Sequence, residues 1–207
     1  MKRLATMAAA LLLAAVTAAA QISAGAGYLN STKKQYDKSA TAGGFFAEAA
    51  YARGIGYGFA LSAGLRYSYL ACSDPASAGF VNYSVMGSLE EKEHYLSLPL
   101  HVQYIFPFYG GADLVFFLGP EFSYCVSSRT SLFYEEPVLG SSSRFTLDNV
   151  AKGYKPFDVI GSAGLSVDLF GKVRLTGSYG YGFLDHAGKD YNILRRSEWR
   201  VGVSYLF

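Results

Sequence analysis

The sequence predicts an all-β fold, an eight-stranded antiparallel up-and-down β-barrel. Three observations carry it: eight segments in which apolar and small or polar residues alternate, connections that alternate between long and short, and 17 Tyr, 15 Phe and 23 Gly against 16% charged residues. Successive side chains of a strand point to opposite faces, so period two reads as a sheet with two unlike faces. Aromatics favour strands, and scarce charge argues against helices held together by ion pairs.

The N-terminus has the form of a secretory leader. Lys2 and Arg3 form a basic start, 4–16 an apolar stretch, and Ala18, Ala19 and Ala20 a small-residue cleavage site. This assigns 1–20 to a signal peptide and 21–207 to one domain beginning at Gln21. The apolar stretch is short against the ~20 residues of a spanning helix. No Cys follows the cleavage site to take a lipid anchor, and no later apolar run approaches spanning length.

The first two strands are the weakest, 22–28 and 45–51, with Glu48 on the polar side. The third, 57–69, sets Tyr57, Phe59, Leu61, Leu65, Tyr67 and Tyr69 against Gly58, Ala60, Ser62, Gly64, Arg66 and Ser68. In the fourth, Leu96, Leu98, Leu100, Val102, Tyr104 and Phe106 oppose Ser97, Pro99, His101 and Gln103, with Pro99 removing a ladder donor. The fifth places Leu114, Phe116, Leu118, Phe122 and Tyr124 opposite Asp113, Gly119, Glu121 and Ser123, although Val115 and Phe117 blur it. The sixth sets Phe157, Val159, Leu165, Val167 and Leu169 against Asp158, Ser162, Ser166 and Asp168. The seventh sets Val173, Leu175, Tyr179, Tyr181 and Phe183 against Arg174, Thr176, Ser178 and Gly180, and the eighth sets Trp199, Val201, Val203, Tyr205 and Phe207 against Arg200, Gly202 and Ser204.

No Asp, Glu, Lys or Arg lies on the apolar face of these segments, whereas Glu48, Arg66, Glu121, Asp158, Asp168, Arg174 and Arg200 lie on the other. Lipid imposes this segregation, because a charge at the bilayer midplane on a barrel costs about 2–4 kcal/mol. Long connections at 31–43, 72–92, 127–155 and 185–196 alternate with short ones at 53–56, 107–111 and 171. Outer-membrane barrels put short turns in the periplasm and long loops outside. A water-soluble, lipocalin-like barrel with a greasy interior fails on volume. Eight strands enclose little more than their own side chains, and the Gly, Ala and Ser of the polar face fit there better than the Leu, Phe and Tyr of the other. Tyr57, Tyr67, Tyr69, Tyr104, Phe106, Tyr124, Phe157, Phe183 and Trp199 gather near strand ends, as interfacial girdles do.

The last strand, 199–207 (WRVGVSYLF), resembles the C-terminal signal by which outer-membrane barrels are recognised for assembly, with Trp199, Tyr205 and Phe207 as its marks. The stretches 95–104 (YLSLPLHVQY) and 117–121 (FLGPE) are similar to the small porin-like family of the outer membrane protein beta-barrel domain. The resemblance implies a bacterial outer-membrane location, membrane lipid as surroundings and the barrel-assembly machinery as a partner in biogenesis. It implies little about biochemistry.

The inward charges are the candidate site. Asp168 and Arg174 lie symmetrically about Gly171, so a hairpin places them opposite each other. Glu48, Arg66, Glu121, Asp158 and Arg200 are expected to form a second group. Paired, these ions plug a lumen too narrow for a general solute pore; a narrow ion path is the alternative. Cys72 and Cys125 are candidates for a disulfide that export would permit, with two free thiols as the plainer reading. His94, Ser97 and His101 raise a lipid-modifying enzyme, but His94 and His101 differ in parity and face opposite sides. Three scattered His do not make a metal site, and 54–58 (GIGYG) is a turn into a strand, not a nucleotide loop.

A net charge of +2 with mixed signs excludes a nucleic-acid stripe. The long loops are placed to carry an extracellular ligand. The expectation is a non-enzymatic outer-membrane barrel with a structural or surface-interaction role, no cofactor and no metal.

Overall fold

The computed structural model describes residues 20–35, 38–80, 83–108, 110–136, 141–148, 156–184 and 194–207. Among them it contains strands and no helix: β1 (Ala20–Gln35), β2 (Lys38–Gly56), β3 (Phe59–Phe80), β4 (Tyr83–Pro107), β5 (Ala112–Glu136), β6 (Ser141–Asp148), β7 (Phe157–Leu169), β8 (Val173–Gly182) and β9 (Leu194–Leu206). All pairings are antiparallel. β1 pairs with β9, and β5 pairs with both β4 and β7. β1–β5 and β7–β9 therefore close a ring of eight, with β6 attached outside it. Closure leaves no sheet edge within the ring, the condition for a sheet to cross hydrocarbon. The leader assigned to 1–20 lies outside the described residues except for Ala20, which opens β1 opposite Arg53.

The structure corrects the loop assignments. Three of the four segments expected as long loops are largely ladder, and most of the fourth, 185–193, lies outside the described residues: β1 and β2 pair out to Gln35↔Lys38, and β3 and β4 out to Phe80↔Tyr83. Within 127–155, β5 continues to Glu136 and pairs with β6 from Arg129↔Asp148 to Glu136↔Ser141. β4 and β5 have 25 residues each, more than twice the ~9–11 a tilted membrane strand needs. Alternation of apolar residues marks only the part of a strand that has lipid on one side. Beyond the lipid the backbone ladder continues without that mark.

Tyr57 is a second correction. It belongs to the turn and not to the strand, with φ 54° between Gly56 at 105° and Gly58 at 80°. The shortest turn holds Phe170 (φ 53°) and Gly171 (φ 62°), and the Lys172 amide donates to the Leu169 carbonyl at 3.0 Å. Two successive positive φ values define the type I′ turn, whose twist matches a hairpin. Pro99 also leaves its mark. The β3–β4 ladder passes from Ala63↔Leu100 to Arg66↔Ser97 and skips the residues between.

One face is turned to the surroundings and one to the lumen. Phe45, Leu65, Leu98, Leu118, Leu175 and Val203 are exposed, while Arg66, Glu121, Asp158, Asp168, Arg174 and Arg200 are buried. Phe46 also stands in the lumen, in an apolar cluster with Leu29, Leu70 and Tyr95. It has room because Gly27 and Gly202 lack side chains: a Cβ there would lie 2.7 and 2.8 Å from its ring.

Candidate functional site

Alternation on β2, β3, β5 and β9 aims one charged residue after another into the lumen, and there they meet. Arg66 Nε donates to Glu48 Oε2 at 2.6 Å, and Arg66 Nη1 donates to Glu121 Oε1 at 2.6 Å. Arg200 Nη1 reaches the same Glu121 from β9, at 2.7 and 2.9 Å from its two oxygens. Glu121, 1% exposed, thus ties β3 and β9 to β5 across the ring. Nearer the periplasmic turns, Arg174 grips Asp168 bidentately, at 2.6 and 2.7 Å. Asp158 is buried on the same face, opposite Ser123 of β5 and against Gly182.

The network extends further than the sequence indicated. Arg200 lies 3.1 Å from Glu198, which pairs with Arg196 at 2.5 Å. The Arg196 guanidinium stacks over the Tyr95 ring at 4.0 Å. The Tyr95 hydroxyl donates to Glu93 at 3.0 Å, and Lys33 donates to the other Glu93 oxygen at 2.5 Å. Four cations (Lys33, Arg196, Arg200, Arg66) thereby alternate with four carboxylates (Glu93, Glu198, Glu121, Glu48), in one run of ion pairs from Arg196 to Glu48 that Tyr95 joins to the Lys33–Glu93 pair. Charge balance is what allows ions to be buried at all, since an unpaired one costs several kcal/mol. Lys33 and Arg196 were missed because they fall in stretches read as loop, and Glu93 and Glu198 because they lie between those stretches and the first residues counted in the fourth and eighth strands. Their parity was the available signal: 196 and 198 continue the inward series of Arg200, and 93 that of Ser97.

Lys33 and Glu93 lie on the strand extensions, beyond the ~9–11 residues that span. Burial opposes both charges, yet Glu93 and Glu91 raise the Lys33 ammonium above its ordinary value. Burial works against Glu93 too, but Lys33 and its hydrogen bond hold the carboxyl below the usual range.

The remaining candidates separate. His94 faces outward, its Nδ1 2.6 Å from the Tyr67 hydroxyl, and His101 faces inward, its Nε2 2.8 Å from Ser162 Oγ. Ser97 bonds to Ser123 at 3.0 Å. A buried Ser–His contact therefore exists that the sequence reading did not foresee. Ser162 donates its own proton to the Gly119 carbonyl at 3.2 Å, so it is not aligned as a nucleophile whose proton His101 takes. The adjoining lumen cavity, lined by His101, Gln103, Arg174 and Ser166 among others, measures about 60 Å³, the scale of a few waters and not of an acyl chain.

Cys72 and Cys125 are not bridged to each other: Cys72 Sγ lies 3.8 Å from Glu91 and Cys125 Sγ 3.5 Å from the Ser127 carbonyl. On β4 their register partners are Glu91 and Tyr95, four residues and so roughly 13 Å apart along the strand, against the ~7 Å limit for bridged Cα atoms. Among the described residues no group of three or more His, Cys, Asp or Glu is placed to hold a metal ion.

A closed ring with an apolar outer wall and an ionic lumen defines an integral β-barrel of the bacterial outer membrane. The chain belongs to the family described as outer membrane protein beta-barrel domain, whose model matches residues 16–187. No curated protein matches the sequence. Among solved structures it is similar to Ail, the attachment invasion locus protein of Yersinia pestis, in complex with the heparin analogue sucrose octasulfate, at 14% identity and TM-score 0.45, over 92% of this chain and 100% of that one. Neisserial surface protein A is similar at 15% identity and TM-score 0.43, over 89% and 96%. OprG of Pseudomonas aeruginosa is similar at 11% identity and TM-score 0.41, over 91% and 96%. At these values no residue role or ligand passes to this chain.

Proposed function

We propose that the protein is a non-conducting, non-catalytic membrane anchor whose strand extensions serve a structural or surface-interaction role outside the cell. The observation that carries this is Glu121, which accepts from Arg66 and Arg200 at once and so spans the lumen with ion pairs. An ion entering there would have to displace charges already matched and desolvated. The reading includes cleavage of a leader before Gln21 and delivery to the assembly machinery through Trp199, Tyr205 and Phe207. The Phe207 amide donates to the Ile22 carbonyl at 2.8 Å, so this end also helps seal β9 to β1.

Planar-bilayer recording of the refolded barrel tests the reading. The expected result is no current steps from the wild type. Reproducible steps would contradict the plug and favour a narrow ion path. An altered lipid A mass profile in cells carrying the protein, compared with cells lacking it, would overturn the non-catalytic part.

A further inference from the structure

The lipid-facing wall of β1, β8 and β9 changes polarity in steps toward the outer rim. Val203 and Val201 come first, both exposed. The next step is aromatic, with Tyr28 and Trp199 5.5 Å apart between ring centroids. Hydroxyls follow: Thr32 lies opposite Ser197, and Ser197 opposite Tyr181. Two cations end the series, Lys34 directly opposite Arg195 and both exposed. Hydrocarbon, interface and headgroup succeed one another in the same order in a lipid leaflet.

Directly opposed residues on one face have Cβ atoms ~4.5–5.5 Å apart, where like charges repel. Among the described residues neither cation has a carboxylate partner; Glu198 of β9 and Glu93 of β4 face the lumen and are engaged there. Arg195 Nη1 donates to the Tyr181 hydroxyl at 3.1 Å, which draws the guanidinium down toward the membrane. A second opposed pair on the rim, Lys92 and Arg129, differs in that Lys92 has Glu90 at 3.8 Å. An anion between Lys34 and Arg195 removes their repulsion, and a guanidinium fork with adjacent hydroxyl donors suits phosphate oxygens.

We propose that Lys34 and Arg195, above Trp199 and Tyr28, bind the phosphate of a phosphorylated lipid of the outer leaflet. The lipid chains lie along Val201 and Val203, and Tyr181 adds a hydrogen-bonding group. The chemistry recognised is a phosphate, and its source is a lipid because the apolar footing continues the site downward.

Trp199 is the sole tryptophan and serves as the probe. The refolded barrel is placed in phosphatidylcholine vesicles containing either brominated phosphatidic acid or brominated phosphatidylcholine, and quenching of Trp199 is compared. Two cations near an anionic lipid, each worth roughly fivefold, predict a preference for phosphatidic acid of about twenty-five-fold. The Lys34→Gln/Arg195→Gln variant is expected to bring it to parity, whereas Lys92→Gln/Arg129→Gln retains it. Equal quenching by the two lipids in the wild type overturns the proposal whether or not any variant folds, as does a preference that survives the double substitution. Loss of the preference on adding inorganic phosphate would show a free-anion site and overturn the lipid assignment.

Discussion

Strand β9 presents two faces with opposite fates. Trp199, Val201, Val203 and Tyr205 are 45–51% exposed, while Arg196, Glu198 and Arg200, interleaved with them, are each 3% exposed. In water this arrangement would leave hydrocarbon wet and ions dry. In a bilayer both faces are satisfied, the first by lipid and the second by partners of opposite sign. The difference shows that membrane lipid supports the outer face, whereas the inner one is held by the protein's own ion pairs. Charge on the outer face is therefore costly because nothing answers it, and charge on the inner face becomes costly once its answer is removed.

Three substitutions or conditions separate the faces. The largest effect is expected from Glu121→Ala, which leaves Arg66 and Arg200 buried without their shared carboxylate. A loss of about 3–5 kcal/mol is expected, read from denaturant unfolding of the barrel in lipid vesicles. A change well below this would mean that water already fills the lumen and answers the cations. Next is Val203→Arg, between Trp199 and Tyr205 on the wall, with a cost of about 2–4 kcal/mol near the midplane in the same unfolding experiment. A neutral outcome would mean that this face does not touch hydrocarbon.

The smallest effect concerns the strand extensions, where pH reaches the network. Glu93 is held below its ordinary value in the folded protein, so its contribution is present above the unfolded carboxyl range near pH ~4.3 and is lost as pH falls through the folded value. Amide exchange in the outer parts of β1 and β4 is expected to rise on acidification below that range while the membrane-embedded ladder stays protected. Glu93→Gln should remove this acid step. An acid step unchanged in that variant would place its origin elsewhere.

The same contrast explains what the sequence made legible. The lipid face was readable because hydrocarbon permits no exceptions: Leu96, Leu98, Leu100, Val102 and Tyr104 fall on one parity without interruption, and the ring of eight follows from counting such runs. The register of Asp168 with Arg174 was readable because Gly171 marks a tight turn from which both are counted. The lumen was less legible because it tolerates Val115, Phe117 and Phe46 beside its ions, so inward residues have no single chemistry. The extensions were least legible. Lys33, Glu93, Arg196 and Glu198 lie where the outer face meets water and the alternation that identifies a strand fades, although the ladder goes on. β6 was lost for the same reason, and Tyr57 was taken into a strand because its parity fitted while its backbone, flanked by two glycines, turned.

The most direct test is a nitroxide scan along β4 from 96 to 104, with Cys72 and Cys125 replaced by Ser and the barrel in lipid vesicles. Collision with oxygen, which concentrates in hydrocarbon, is compared with collision with a water-soluble nickel complex. High oxygen accessibility at 96, 98, 100, 102 and 104, with low values for both reagents at 97, 99, 101 and 103, is the predicted pattern. Oxygen accessibility with no period of two, or nickel accessibility greatest at the even positions, would contradict contact between that face and the membrane.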